Sequence, residues 1–300
     1  MKFIGAAIVL VMSIGVNIYG QIPFSQEQFR TFDGKGNAAT FPDLVKAAGQ
    51  ADVIFLGELH DDPVGHAIEA ELFRQIFNEY SAKRTVKLSL EMFESDVQII
   101  LDEYLDGLIS EQHFLSSSRP WGNYKTDYRP LIEFAKEKRI EVFAANAPRR
   151  YVNMVSRGGR ETLRALSKKA KKWLPPLPFG EPSEAYSKKF KALMAAMPEA
   201  QMGIDKILSS QSLWDASMAY SVSRALKHGR DPLVIHLNGG FHTENRLGTV
   251  EHLLKYRSKA RVIVITMRAE KDFLSFERSK HADLGDYVIL TDAKLPRSKR

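Results

Sequence analysis

Asp52-Val53-Ile54-Phe55-Leu56-Gly57-Glu58-Leu59-His60 is an apolar run that stops at a glycine and presents a histidine three residues later. Leu233-Val234-Ile235-His236-Leu237-Asn238-Gly239-Gly240-Phe241-His242 repeats the arrangement in the far half of the chain. Short apolar runs without polar alternation read as strands buried on both faces. In an open α/β sheet, ligands bind outside the carboxyl ends of the strands. Two Gly-x-x-His ends are therefore expected to meet over one pocket.

The surrounding sequence supplies the rest of such a sheet. A strand at 52–57 is followed by an amphipathic helix over 64–80, with Val64, Ala67, Ile68, Leu72, Ile76 and Phe77 on one face. Val86-Lys87-Leu88-Ser89-Leu90 reads as the next strand and runs into Glu91-Met92-Phe93. A helix over 95–107, a loop-rich passage over 110–130 and a helix over 130–138 lead to a strand at 140–145. Further strands are expected at 232–238, 261–266 and 287–290, with helices over 211–228 and 246–256. This βα alternation predicts an α/β fold with a mainly parallel sheet flanked by helices. The rhythm breaks between 151 and 210, where Lys, Ala and Met dominate and no strand pattern is found. That stretch is expected to be a smaller, all-helical insertion or cap. The organisation is then an α/β domain over 21–150 and 211–300, with the insertion at 151–210. Residues 22–50 read as a poorly ordered approach followed by a helix at Phe41–Ala48, with Pro42 near its start.

The chain has 300 residues, of which 44% are hydrophobic and 26% charged, an ordinary globular balance. Its formal net charge of +7 favours anionic ligands or surfaces. The basic clusters at 168–172 and 297–300 read as a solvated helix face and a frayed tail. No nucleic-acid motif accompanies them, so no nucleic-acid partner is expected. Met1-Lys2, an apolar run from Phe3 to Val16 and a small residue at Gly20 read as a signal peptide over 1–20; a membrane anchor is the other reading of that stretch. The expectation is an exported protein, periplasmic or secreted. Cysteine is absent, which excludes disulfides, thiolate metal sites and a lipid-anchor cysteine.

Four strand ends contribute chemistry to one rim: Glu58 and His60, Glu91, Asn146 with Arg149, and His242 beside Asn238. Glutamate and histidine serve as acids and bases and as ligands for divalent metals. Arg149 suits a carboxylate through its bidentate guanidinium. Each has a structural reading as well. Glu58 could cap the following helix, and His236, inside an apolar strand, reads as a hydrogen-bonded core histidine. His66, His113, His228, His252 and His281 read as surface or capping residues, and Glu244 with Arg246 as a surface pair. The dinucleotide fingerprint, the Gly-x-Ser-x-Gly elbow and the phosphate-binding loop are all missing.

Val53–Asp61, Leu90-Glu91-Met92-Phe93, Ala145-Asn146-Ala147-Pro148-Arg149 and Asn238-Gly239-Gly240-Phe241-His242 together resemble the ChaN family of haem-binding uptake proteins. Tyr128-Arg129-Pro130-Leu131 and Leu213–Ala219 fit the same pattern. The likeness spans roughly 45–265, within a wider group holding the Tiki proteases and the erythromycin esterases. It implies an α/β domain with a smaller helical one, export, and haem as ligand. It further implies a tyrosine on the haem iron, a histidine of a second subunit near the propionates, and a homodimer around two stacked haems serving an outer-membrane uptake system. Tyr128, then Tyr124, are the expected iron ligands, ahead of Tyr151, Tyr186 and Tyr220. Arg149, Asn146 and Asn238 complete the expected haem site. The rival reading is a metal-dependent peptidase or esterase. There Glu58, His60, Glu91 and His242 are catalytic, and His60, Glu91 and His242 hold a divalent metal.

Overall fold

The computed structural model describes residues 25–195 and 203–299; the expected leader over 1–20 lies outside the described residues. In chain order the elements are β1 (Phe29–Asp33), β2 (Ala38–Ala39), α1 (Phe41–Ala48), β3 (Val53–Glu58), α2 (Pro63–Tyr80), β4 (Val86–Glu94), α3 (Gln98–Leu105), α4 (Glu111–Ser118), α5 (Arg129–Lys138) and β5 (Val142–Asn146). Then follow α6 (Arg149–Gly158), α7 (Lys168–Lys171), α8 (Glu184–Met194), α9 (Ile204–Ala225), β6 (Leu233–Gly239), α10 (Thr249–Tyr256), β7 (Val262–Glu270), α11 (Arg278–His281) and β8 (Tyr287–Asp292).

The eight strands form one sheet in the order β2-β1-β8-β7-β3-β6-β4-β5. Pairings are parallel except those of β1 with β2 and β8. The chain builds outward from β3 to β4 and β5, then returns to lay β6 between β3 and β4. The two Gly-x-x-His strands are therefore direct neighbours, in register from Val53 opposite Val234 to Glu58 opposite Gly239.

Their apolar runs are continuous because both faces are covered. Ile54, Leu56, Leu88, Leu90, Ile235 and Leu237 pack on Ile68 and Leu72 of α2, Leu101 of α3 and Leu131 of α5. The alternate residues Val53, Phe55, Val234 and Val264 face Ala219 and Val222 of α9 and Val250 and Leu253 of α10. Burying each such side chain is worth about 1.5–3 kcal/mol. The core histidine behaves as expected: the fully buried His236 has Nδ1 2.8 Å from Ser89 Oγ, and burial pushes its imidazole down to about 3, so it stays neutral.

Between β5 and α9 the described chain is helical, with no strand. Tyr151, Val155, Leu163, Leu174 and Phe179 pack on Leu213 and Ala216 at the start of α9. Tyr186, Phe190 and Leu208 pack with Phe241 and Leu247. This helical layer stands over the carboxyl ends of β5 and β6.

Three expectations need correction. The approach over 22–50 contains two strands, and β1 extends the sheet by pairing with β8 from Phe29–Thr291 to Asp33–Tyr287. The passage over 110–130 is not loop-rich: it holds α4, capped by Ser110, and a single π-helical turn at Tyr124–Tyr128. The long helix returning to the sheet begins at Ile204 rather than 211.

Candidate functional site

The carboxyl ends of β3, β4, β5 and β6 open onto a cleft of about 790 Å³. His60, Glu91, Asn146, Arg149 and His242 all line it, as the strand-end argument anticipates, together with Met92, Arg119, Trp121, Val152, Ile207 and Trp214. The adjacency of β3 and β6 does this. The chain leaves both strands in the same direction at the same level, so the residues three past each glycine converge.

Glycine is needed where they converge. A Cβ on Gly239 would stand 2.7 Å from His60 Nε2, and one on Gly57 would stand 3.0 Å from the Cα of Gly240. The backbone of one strand end thus forms the seat for the histidine of the other. Trp121 meets the His60 ring edge-on at 4.7 Å between centroids.

Each histidine is tethered at Nδ1 by a buried carboxylate, leaving Nε2 as the ring nitrogen without a carboxylate partner within hydrogen-bond distance. His60 Nδ1 lies 2.5 Å from Glu58 Oε1, which also accepts from the Tyr128 hydroxyl at 2.7 Å. His242 Nδ1 lies 2.8 Å from Asp215 Oδ1, which also accepts from Thr249 Oγ1 at 2.8 Å. Glu91 joins the β6 end: its Oε2 accepts from the Gly239 amide at 2.7 Å, and its Oε1 lies 3.8 Å from His242 Nε2. A carboxylate on Nδ1 fixes the tautomer and orientation of an imidazole.

The charges follow from these contacts. Burial opposes an imidazolium at His242, yet Asp215 and then Glu91 outweigh it and lift the group to about 9. This favours the imidazolium at neutral pH; His242 Nε2 lies 3.4 Å from Gln211 Nε2 and 3.8 Å from Glu91 Oε1. Burial opposes a charge on Glu58, but His66 and His60 hold its carboxyl well below the usual carboxylate range.

Behind Glu58 lies a second group. His66 Nδ1 is 3.2 Å from Glu58 Oε2 and 3.1 Å from Glu69 Oε2, and its Nε2 is 3.5 Å from Asp127 Oδ2. Asn123 Nδ2 donates to Asp127 Oδ2 at 2.6 Å and to the His60 carbonyl at 2.9 Å, and Ser298 Oγ donates to Asp127 Oδ1 at 3.0 Å.

Several site expectations change. Tyr124 and Tyr128, the expected iron ligands from a loop-rich passage, are both buried in a single π-helical turn and neither lines the cleft. The Tyr128 hydroxyl is committed to Glu58, and Tyr124 packs on Phe93 and Phe114. Asn238 is fully buried and spends its amide on the Gly239 carbonyl and Thr243 Oγ1, so it shapes the turn and does not line the cleft. The metal set expected from His60, Glu91 and His242 is not drawn together closely. Among the described residues, the group whose donor atoms all lie within 4.8 Å is Glu58, His66 and Glu69. His66, His252 and His281 are buried rather than superficial. Glu244 is no surface residue either: it is buried and pairs with Lys189 at 3.3 Å and Arg268 at 2.5 Å.

Sequence reasoning missed His66, Glu69, Asp127 and Asp215. A signal existed for two of them, since His66 and Glu69 share a helix face at i, i+3. Asp215 stood inside the quoted Leu213–Ala219 stretch without a role.

A family model described as haem-binding uptake, Tiki superfamily, ChaN matches residues 44–253. Among solved structures, the chain is similar to ChaN of Campylobacter jejuni, whose structure is described as cofacial heme binding. The TM-score is 0.68 at 21% identity, covering 90% of this chain and 100% of that one. It is less similar to an erythromycin esterase mutant in its open conformation, with a TM-score of 0.45 at 13% identity over 88% of this chain and 83% of that one. A Bacillus cereus protein gives a TM-score of 0.43 at 14% identity over 81% of this chain and 72% of that one. No curated protein matches.

Proposed function

The chain belongs to the haem-binding uptake family of the Tiki superfamily typified by ChaN, and from that premise we propose that it binds ferric haem in the strand-end cleft for iron acquisition. One observation carries this reading: every residue lining the cleft, from His60 to His242, falls inside the matched span. The lining suits the group. Trp121, Trp214, Met92, Val152 and Ile207 offer apolar and aromatic surface for a porphyrin, and Arg119 and Arg149 offer guanidinium groups for propionates. Arg149 is well placed for this, with its side chain 77% exposed.

Haem supplies an iron that takes an axial base. The family resemblance puts a tyrosine there, but no tyrosine among the described residues lines the cleft. His60 takes that role in our reading, because it lines the cleft and its Nδ1 is tied to Glu58, which leaves Nε2 as its remaining ring nitrogen. Two chains meeting over their open clefts would stack two haems between them. Export accords with the apolar leader, and an outer-membrane uptake system would be the source of haem.

The test is a ferric haem titration followed in the Soret region. Saturable binding at one haem per chain is expected, weakened at least tenfold in His60→Ala, with a doubling of mass by light scattering. A tyrosinate-type spectrum that survives His60→Ala and disappears in Tyr128→Phe would return the iron to the tyrosine. No spectral change at micromolar haem would end the haem reading.

One observation favours a hydrolase as the second reading: two carboxylate-tethered imidazoles line one cleft with Glu91. His60 Nε2 would accept a proton from water while the His242 imidazolium donates to the leaving group. Esterase or peptidase turnover lost in both His60→Ala and Glu91→Gln would support it, and full turnover in both variants would exclude it.

A further inference from the structure

We propose that Ser298 is a positioning residue for His60: it straps the segment after β8 across the turn that carries His60 and ties that turn to the Asn123–Asp127 pair. The inference rests on reading His60 as the axial base for haem, and it adds a residue that does not line the cleft.

His60 stands outside regular structure. β3 ends at Glu58 and α2 begins at Pro63, so neither a sheet ladder nor a helix holds the backbone of residues 59–62. The Leu59 carbonyl accepts from the Asp62 amide at 3.0 Å, and the Asp62 carbonyl from the His66 amide at 3.0 Å. The two carbonyls between them receive donors from distant parts of the chain. Asn123 Nδ2 donates to the His60 carbonyl at 2.9 Å, and the Ser298 amide donates to the Asp61 carbonyl at 2.9 Å. A backbone carbonyl takes a partner from the protein or from water, and a protein donor fixes the peptide that carries it.

The two donors are joined to each other. Ser298 Oγ donates to Asp127 Oδ1 at 3.0 Å, and Asp127 Oδ2 accepts from the same Asn123 Nδ2 at 2.6 Å. Asn123 and Asp127 are both buried. The contacts close a ring that runs from Ser298 to Asp61, along the backbone to His60, then through Asn123 and Asp127 back to Ser298. Bonds in such a network support one another, so losing one member loosens the rest.

The sheet delivers Ser298 to this place. β8 runs parallel to β7, and β7 to β3, so the chain leaving β8 emerges at the same edge of the sheet as His60. At the end of β8, Thr291 Oγ1 donates to Asp62 Oδ2 at 2.5 Å, and Arg297 lies 3.5 Å from Asp62 Oδ1. Residues 291–298 thus grip Asp61 and Asp62, next to His60. Beside the strap lies a cavity of about 540 Å³ lined by Val64, Ala67, Asn123, Leu295 and Pro296. Lifting Ser298 therefore removes hydrogen bonds while Leu295 stays against the main core.

The experiment uses full-length chains. Ser298→Pro lacks both the amide hydrogen and the hydroxyl, Ser298→Ala lacks the hydroxyl alone, and Ser298→Thr keeps both. Hydrogen exchange and the nitrogen-15 signals of the His60 ring are read first without haem. In Ser298→Pro, exchange over 59–66 and 121–128 is expected to quicken about threefold to tenfold, as the loss of one or two hydrogen bonds predicts. The His60 ring signals should broaden, and exchange over 233–239 in β6 should stay native. Haem affinity should fall by about threefold to tenfold. Ser298→Ala should show a smaller change in each, and Ser298→Thr should behave as the native chain. If Ser298→Pro fails to fold, exchange over 233–239 reveals it and Ser298→Ala carries the test. Native exchange over 59–66 with unchanged His60 ring signals overturns the proposal. So does native haem affinity in a variant whose turn has loosened, which would make the contact merely structural. The first two readouts need no haem, so a native chain that binds none counts against the haem reading and not against the strap.

Discussion

Asp215 sits on α9, away from the strand ends, yet it decides the charge of the cleft by holding His242 Nδ1. The His242 imidazolium is lifted from 6.5 to about 9. A raised histidine stabilises the fold fully below its unfolded value near 6.5, and that contribution is lost as pH rises through about 9. The shift amounts to on the order of 3 kcal/mol, at about 1.4 kcal/mol per unit. Denaturant unfolding of the native chain and of Asp215→Asn, between neutral pH and about pH 10, should show a steeper loss in the native chain. Equal slopes would mean that Asp215 does not hold the proton. Gly239 gives a second residue-scale prediction. Gly239→Ala forces a methyl against the His60 ring, at a cost of about 1–3 kcal/mol, and should abolish haem binding while the chain still folds. Haem affinity and a melting curve on the same sample check it. The two Gly-x-x-His ends were legible because the motif is local to each strand. The Asp215 tether was not, because Asp215 acquires its role only once a face of α9 turns toward His242.

At the scale of elements, β3 supports both the core and the cleft. Leu56→Ala should destabilise the chain by about 2–5 kcal/mol, because its fully buried side chain lies in the largest apolar cluster. Leu108, which is 73% exposed, should tolerate alanine within about 0.5 kcal/mol. Comparing the two by urea denaturation tests the assignment of the sheet face. The start of α2 is a second checkpoint. Asp62 accepts from the Val64 amide at 3.2 Å and from Thr291 Oγ1 at 2.5 Å, joining the helix that carries His66 to β8. Asp62→Ala should cost about 1–2 kcal/mol as a lost cap, read as a lower urea midpoint. The buried parallel strands were readable because both their faces are covered. The strand β1 was not, because it has one antiparallel neighbour on each side, lies near the sheet edge and alternates weakly over Phe29–Asp33. The helix α4 escaped because Glu111–Ser118 ends in three serines, which favour turns on propensity alone.

Across the whole molecule, the order of the sheet differs from the order of the chain. The parallel seam between β3 and β6 joins Val53 to Val234, so about 180 residues must be in place before it can close. Loop closure over that distance is paid before the contacts reward it, which makes this seam a late event in folding. A ribosome-bound chain that ends before residue 233 can assemble β3, β4 and β5, but its sheet lacks the strand that belongs between β3 and β4. Such an intermediate exposes the apolar edges of β3 and β4 to each other and to other chains. The cleft cannot form early. Its two halves meet only once the chain has reached His242, so under the proposed function haem binding would report that the seam between β3 and β6 has closed.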